Sequence, residues 1–115
     1  MSQPTDARPD RVSGHVAAFN DAVADGDYER LAERFAEDAV MSFVGVPVGP
    51  FVGRDAILVA YQEMPPDDTM AITSVHTDGE IDNVRFLWSA GGAGTMTMRW
   101  ENDLLAELTV VFDQG

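Results

Sequence analysis

The sequence contains no cysteine and no lysine. Without cysteine the chain cannot form disulfide bonds, use a catalytic thiolate or bind zinc through sulfur. All seven basic residues are arginine, and 20 Asp and Glu outnumber them, so the net charge is -13. A surface this acidic repels phosphate backbones and anionic lipids, and we therefore expect neither nucleic acid nor a membrane surface as a partner.

Long hydrophobic runs are missing as well. Residues 1–11 are polar, contain Pro4 and Pro9, and lack an apolar stretch that could serve as a signal-peptide core or a membrane span. The sequence predicts a flexible tail over 1–11, a single domain over 12–115 and a cytoplasmic location. A chain of 115 residues can bury about two thirds of its unfolded surface, which is enough for a real core.

Three segments in the first half carry helical spacing. Apolar residues recur every three or four positions over 12–23, and Gly26 ends that helix. The same spacing over 28–35 predicts a short second helix. A third helix is predicted over 54–63, where Pro65 stops it.

The remaining segments have the composition and alternation of strands. The first runs from Val40 to Val44, and the Gly/Pro-rich segment 45–53 after it must be a loop or an edge strand, since proline supplies no donor to a central ladder. Four further strands are predicted over Met70–His76, Val84–Ser89, Thr95–Trp100 and Leu105–Phe112, joined by Gly- and Asn-containing turns. Helices followed by hairpins predict an α+β domain, with three helices packed on a curved antiparallel sheet.

Alternation along the strands selects an inward face. With the helix residues added, this face predicts a pocket of ten residues: Phe19, Phe35, Met41, Phe43, Tyr61, Phe86, Met96, Met98, Val110 and Phe112. Val84, Trp88, Trp100 and Leu108 share the inward register. Such a wall suits a flat apolar ligand, and it equally suits a core closed by its own side chains.

Three consecutive motifs carry a resemblance to a known family. They are Phe35-Ala36-Glu37-Asp38-Ala39-Val40, read as a helix end and strand start, then the turn Gly45-Val46-Pro47-Val48-Gly49-Pro50, then the helix start Gly53-Arg54-Asp55-Ala56-Ile57. The sequence resembles the nuclear transport factor 2-like superfamily, and within it the SnoaL-like and ketosteroid-isomerase-like groups, from about Val12 to Phe112. The resemblance implies a cone-shaped α+β barrel with an open cavity.

The resemblance also identifies where catalytic residues would lie. Ketosteroid isomerase uses an Asp base facing an oxyanion hole made of a Tyr and a protonated Asp. Aligned along the motifs, these three positions fall on Phe19, Phe43 and Met96, none of which can transfer a proton. Tyr61 alone keeps a polar tip in the implied pocket, and Phe35 replaces a further Tyr. Steroid isomerisation by the usual route is therefore not expected.

The function predicted from these features is binding of a hydrophobic small molecule. If the protein is an enzyme, the resemblance implies an isomerase or polyketide-cyclase-like reaction. The alternative is a non-catalytic binding or dimerisation module with a closed cavity. A third possibility, epoxide or lactone hydrolysis, would need a pocket carboxylate pair that the sequence does not place.

Histidine and arginine positions complete the predictions. His15 and His76 are the only histidines and belong to no metal-binding spacing, so we predict neither a metal nor a cofactor. His15 could reach the mouth of the cone. Arg85 and Arg99 are predicted on the outer sheet face, with Glu107 and Asp82 as partners. That face also carries Thr95, Thr97 and Thr109, and it is the predicted contact of a homodimer.

Overall fold

A computed structural model describes residues 7–112, which form three helices and one six-stranded sheet. The helices are α1 (Ala7–Asp25), α2 (Glu29–Ala32) and α3 (Arg54–Glu63). The strands are β1 (Phe35–Val44), β2 (Phe51–Val52), β3 (Met70–Asp78), β4 (Ile81–Trp88), β5 (Ala93–Glu101) and β6 (Leu104–Phe112). The predicted α+β architecture is confirmed, and the Gly/Pro-rich segment 45–53 contains the short edge strand β2.

The sheet has the order β2-β1-β6-β5-β4-β3, and one of its pairs is parallel. Strands β3 to β6 form antiparallel hairpins, and β2 is antiparallel to β1, whereas β1 and β6 run parallel. The predicted antiparallel sheet is confirmed, and β1 with β6 is its one parallel pair among the described strands. Parallel neighbours need a long connection, and the elements from β2 to β5 provide it.

Helix α1 begins earlier than its apolar spacing predicts. It starts at Ala7 instead of near Val12, so the end of the predicted tail over 1–11 is helical. The polar start of the helix is held by a contact with the sheet, because the Arg11 Nε atom lies 2.8 Å from a carboxylate oxygen of Asp82. Residues 1–6 and 113–115 lie outside the described residues.

The boundary between α2 and β1 also differs from the prediction. Helix α2 ends at Ala32, and β1 begins at Phe35, inside the segment that the sequence assigns to a helix end. Phe35 pairs with Leu105 of β6, and its carbonyl accepts hydrogen bonds from Arg54 Nε and Nη2 at 2.9 and 2.7 Å. The register shifts between Phe35 and Val40, which indicates a β-bulge that bends the strand. Tertiary pairing therefore overrides local helical spacing.

The core lies between the helices and the inner face of the sheet. Val84, Met96 and Val110 stand opposite one another across β4, β5 and β6, and all three are buried. The neighbouring row of Asn83, Thr97 and Thr109 faces outward. The predicted inward and outward registers of these strands are confirmed.

Asp82 departs from its predicted position. Its side chain is fully buried, because it shares the inner face with Val84 two residues on. Trp100 Nε1 donates to Asp82 at 3.0 Å, Thr77 Oγ1 donates at 2.5 Å, and Arg11 forms the ion pair already described. The prediction that Asp82 pairs with an outward-facing arginine is wrong; it joins α1 to the sheet instead.

Arg99 has the outer position that the sequence predicts. It pairs with Glu101 at 2.7 Å and with Glu107 at 3.4 Å, and these hydrogen bonds raise the pKa of its guanidinium above the ordinary value. Exposed ion pairs of this kind contribute little to stability.

Candidate functional site

A cavity of about 220 Å³ opens between the inner sheet face and helices α1 and α3. Every strand contributes to its wall, which is almost wholly apolar: His15, Val16, Phe19, Met41, Phe43, Val48, Phe51, Ala60, Tyr61, Met64, Pro66, Met70, Trp88, Met96, Leu108, Val110 and Phe112. An engineered apolar cavity of about 150 Å³ is known to bind benzene. The space is therefore large enough for an organic molecule.

Seven of the ten predicted pocket residues lie on this wall, namely Phe19, Met41, Phe43, Tyr61, Met96, Val110 and Phe112. The structure places the other three, Phe35, Phe86 and Met98, in the packed core behind the wall, where all are fully buried. Trp88 covers Phe86: the two rings pack edge-on with their centroids 5.1 Å apart. It is Trp88, and not Phe86, that reaches the cavity. Phe35 lies behind His15 in the same way, at 5.4 Å.

Several wall residues come from loops and strand ends that periodicity did not assign to the pocket. Val48 and Phe51 approach from the connection between β1 and α3, and Met64 and Pro66 from the connection between α3 and β3. Met70 at the start of β3 is held by Asn20, whose side-chain amide bonds both its backbone N–H and its carbonyl at 2.9 Å. No alternation pattern in the sequence identifies these positions.

The cavity has a deep end and a mouth. His15, Met96 and Leu108 are buried, whereas Phe51 and Pro66 are partly exposed and Met64 is 52% exposed. The mouth therefore lies beside β2 and the connection after α3.

Pro66, in the connection between α3 and β3, lines the cavity. Its carbonyl accepts a hydrogen bond of 3.4 Å from the Tyr28 hydroxyl. This hydrogen bond links Tyr28, at the start of α2, to the rim of the mouth.

Aromatic rings support one another along the wall. Tyr61 stacks on Tyr28 at 5.4 Å, and Phe19 packs against both Tyr61 at 6.4 Å and Trp88 at 6.1 Å. Trp88 in turn stacks on Phe112 at 6.5 Å. Rings held by their neighbours in this way present fixed apolar surfaces to a ligand.

Tyr61 is the polar residue that the sequence assigned to the pocket. Burial, and then the neighbouring Tyr28, raise the pKa of its phenol above the ordinary value, so the hydroxyl stays protonated. Within residues 7–112 the structure gives this hydroxyl no hydrogen-bond partner. It can therefore donate to a ligand carbonyl.

His15 is a second polar wall residue, and it lies deeper than the sequence suggested. It sits one helical turn before Phe19 on the same face of α1 and is only 3% exposed, at the deep end instead of the mouth. Its ring packs edge-on against Phe35 at 5.4 Å and Trp100 at 6.3 Å. Its Nδ1 atom is buried and has no hydrogen-bond partner among the described residues.

Burial also decides the charge of His15. Loss of solvation, and then the positive charge of Arg34, lower the pKa of the imidazole to about 3. The ring is thus neutral near pH 7, with one nitrogen donating and the other accepting.

Comparison with known proteins assigns the family. The family model described as a SnoaL-like domain matches residues 16–111. The chain belongs to the SnoaL-like domain family. The resemblance predicted from the motifs is confirmed, and no curated protein matches the chain.

Solved structures share the fold of this SnoaL-like domain. A protein from Sphaerobacter thermophilus is 20% identical with a TM-score of 0.74, covering 94% of this chain and 97% of its own. A proposed ketosteroid isomerase from Kribbella flavida is 19% identical with a TM-score of 0.72, covering 92% of this chain and 80% of its own. A Catenulispora acidiphila protein in complex with S-DNPA is 22% identical with a TM-score of 0.69, covering 93% and 94%.

The SnoaL-like fold places the three isomerase positions together on the cavity wall. Phe19, Phe43 and Met96 all line the space, so rings and a thioether stand where the resemblance puts the proton-transferring groups. The wall residues within 7–112 include no Asp, Glu or Arg. The carboxylate pair needed for hydrolysis is therefore not on this described wall.

Two further findings concern the described residues only. No three His, Asp or Glu side chains among them are grouped so as to hold a metal ion. None of their helices is long and apolar enough to cross a membrane.

Proposed function

We propose that this SnoaL-like domain binds an uncharged, hydrophobic small molecule in its cavity. The observation that carries the proposal is the wall itself, where 17 of the described residues enclose about 220 Å³ and none of these 17 is charged. An apolar ligand gains free energy by leaving water for such a surface, at about 25 cal/mol per Å² removed from water. A charged ligand would lose its hydration and find no ionic partner there.

The composition of the wall also favours binding over a closed core. Four methionines, Met41, Met64, Met70 and Met96, lie around the cavity beside the aromatic rings. Methionine side chains adapt their shape and are polarizable, which suits contact with a ligand that enters and leaves. Met64 in particular is half exposed at the mouth.

A more specific proposal is that the domain also catalyses a reaction on the bound molecule. An isomerase or cyclase-like reaction on a ketone-bearing substrate would use Tyr61 as its hydrogen-bond donor, without a carboxylate base from the described wall. The competing proposal is a non-catalytic module whose cavity closes on its own side chains. A cytoplasmic location stays a prediction from the sequence.

Thermal shift with apolar ligands tests binding. At a hundred times its dissociation constant, a ligand of the folded state adds about 2.7 kcal/mol, which for a domain of this size raises Tm by several degrees. The panel contains naphthalene, larger polycyclic hydrocarbons, steroids and fatty acids.

Two neighbouring substitutions on α3 give a matched pair for this test. Ala60→Leu adds volume to the cavity wall and should abolish the shift, whereas Val59→Leu adds volume at an exposed site off the wall and should leave it intact. If no compound raises Tm, or if both variants respond alike, the cavity is not a binding site. The competing proposal, a non-catalytic module with a closed cavity, then replaces the binding function.

A homodimer through the outer sheet face is also proposed. Leu87 and Ile81 are exposed on the outer face of β4, which they share with Asn83, the β4 neighbour of Thr97. A mixed face of this kind suits packing against a second copy. Light scattering at micromolar concentration should show a dimer, and Thr97→Glu should dissociate it because a buried unpaired charge is costly. A monomeric wild-type protein would refute the dimer.

A further inference from the structure

Two polar side chains of the cavity wall, Tyr61 and His15, have no hydrogen-bond partner among the described residues, and His15 is the more deeply buried of the two. Most buried polar atoms in native proteins have a hydrogen-bond partner, so an exception calls for an explanation. His15 Nδ1 is such an exception among the described residues, and the ring that carries it forms part of the cavity wall. A ligand group that reaches this ring from the cavity would give the imidazole the partner that the protein does not supply.

We propose that His15 is the hydrogen-bonding partner of the ligand, and that the ligand is an uncharged aromatic molecule of one or two rings bearing a hydroxyl group. The proposal rests on the binding function above and narrows its ligand class. The hydroxyl lies at the deep end against His15, and the rings extend toward the mouth.

Cavity size sets the number of rings. A space of about 220 Å³ is roughly half as large again as the cavity of about 150 Å³ that holds benzene. One ring, or two fused rings, fits that space. The four fused rings of a steroid would extend out through the mouth.

The chemistry of the imidazole selects the hydroxyl. A neutral histidine has one N–H donor and one acceptor nitrogen, and which nitrogen carries the proton depends on the partner. A hydroxyl can donate to one nitrogen or accept from the other, so it pairs with either tautomer. A ketone can only accept, and it suits the Tyr61 hydroxyl better.

The surroundings of His15 exclude a charged ligand group at this end. The nearby positive charge of Arg34 opposes an ammonium group, and the guanidinium itself is not on the cavity wall. An anion would have to give up its hydration without an ionic partner on that wall.

Depth sets the orientation. His15 packs against Phe35 and Trp100, both fully buried, whereas the partly exposed rings lie at the opposite, open end. A ligand that bonds His15 therefore places its rings beside Phe19 and Trp88, the aromatic part of the wall.

His15 acts here in recognition and not as a general base. A catalytic base works best with a pKa near the working pH, and this imidazole lies well below it because of burial and Arg34. The same low basicity keeps the ring neutral and ready to form a hydrogen bond.

The test compares 2-naphthol with 2-methylnaphthalene, which has a similar size and no hydrogen-bonding group. Dissociation constants are measured for the wild type, for His15→Leu and for the matched control His76→Leu, which removes the exposed histidine of β3. We expect the wild type and His76→Leu to prefer 2-naphthol by about 2- to 12-fold, the range for one net hydrogen bond. His15→Leu should bind both compounds equally.

A second measurement does not depend on a variant folding. The imidazole ¹⁵N signals of His15 in the wild type should shift with 2-naphthol and not with 2-methylnaphthalene, while those of His76 stay unchanged. Equal affinities in the wild type, a preference that survives in His15→Leu, or a preference lost only in Tyr61→Phe would overturn the inference and leave hydrophobic binding intact. Failure of both compounds to bind would refute this ligand class, and the wider thermal-shift panel then decides the proposed function.

Discussion

Burial of a neutral histidine predicts how stability changes with pH. Burial, and then the positive charge of Arg34, lower the pKa of His15 to about 3 in the folded protein, whereas a histidine in an unfolded chain has a pKa of about 6.5. Between these values the unfolded state binds a proton that the folded state does not. The free energy of unfolding therefore rises with pH across this window, and it falls as pH is lowered from 6.5 toward 3.

The size of the effect follows from the gap between the two values. A pH of 5 lies about 1.5 units below the pKa of the histidine in the unfolded chain. At about 1.36 kcal/mol per unit, protonation of the unfolded state lowers the free energy of unfolding by about 2 kcal/mol. At pH 7.5 the cost vanishes. The charged group that acts on His15 is Arg34, and the carboxylate of Asp82 accepts a hydrogen bond from the Trp100 indole, against which the His15 ring packs.

Urea unfolding at pH 7.5, 6.5, 5.5 and 5.0 measures this dependence through the midpoint and slope. His15→Leu lacks the titrating group, so between pH 7.5 and 5.0 it should lose about 2 kcal/mol less than the wild type. His76→Leu, which removes the exposed histidine of β3, is the matched control. Parallel pH curves for the wild type and His15→Leu would show that His15 is not a buried neutral histidine.

Three further predictions concern the core, the sheet and the chemistry. Asp82→Ala should lower the free energy of unfolding by about 3–5 kcal/mol, since it leaves Arg11 and the Trp100 indole without their buried partner, and Asp82→Asn should cost less; urea unfolding measures both. Gly94→Ala should cost about 1–3 kcal/mol by calorimetry, because a Cβ there would lie 2.6 Å from the Val111 carbonyl and 2.7 Å from the Phe86 ring; an unchanged Tm would contradict that packing. Purified protein should not isomerise a Δ5-3-ketosteroid at a rate typical of ketosteroid isomerases, as loss of one oxyanion donor alone costs about a hundred- to a thousand-fold.

Local signals were sufficient for much of this fold and failed where distant partners decide the structure. Helix α3 has the predicted bounds, and the hairpins lie between the predicted turns, because spacing and turn residues act over a few positions. The start of β1 at Phe35 depends on Leu105 and Arg54, which are far away in the sequence. The parallel pairing of β1 with β6 has the same origin.

Asp82 was misplaced for a different reason. Its position two residues before Val84 puts it on the inner face by simple alternation, and that signal was available in the sequence. Because the side chain is charged, it was instead predicted to lie on the outer face of the sheet. The structure resolves the conflict by supplying an ion pair and two neutral donors, which is what a buried carboxylate requires.

The site follows the same division between what alternation can identify and what it cannot. Alternation found the apolar wall, but it could not separate Met96, which faces the cavity, from Met98, which lies behind it. Nor could it show that a histidine nitrogen at the deep end has no partner, since that depends on every neighbour of the ring. The three positions that the resemblance links to proton transfer, Phe19, Phe43 and Met96, are apolar. The imidazole of His15, one helical turn before Phe19, remains available to form a hydrogen bond with a ligand. This arrangement favours ligand recognition over acid–base chemistry in the cavity.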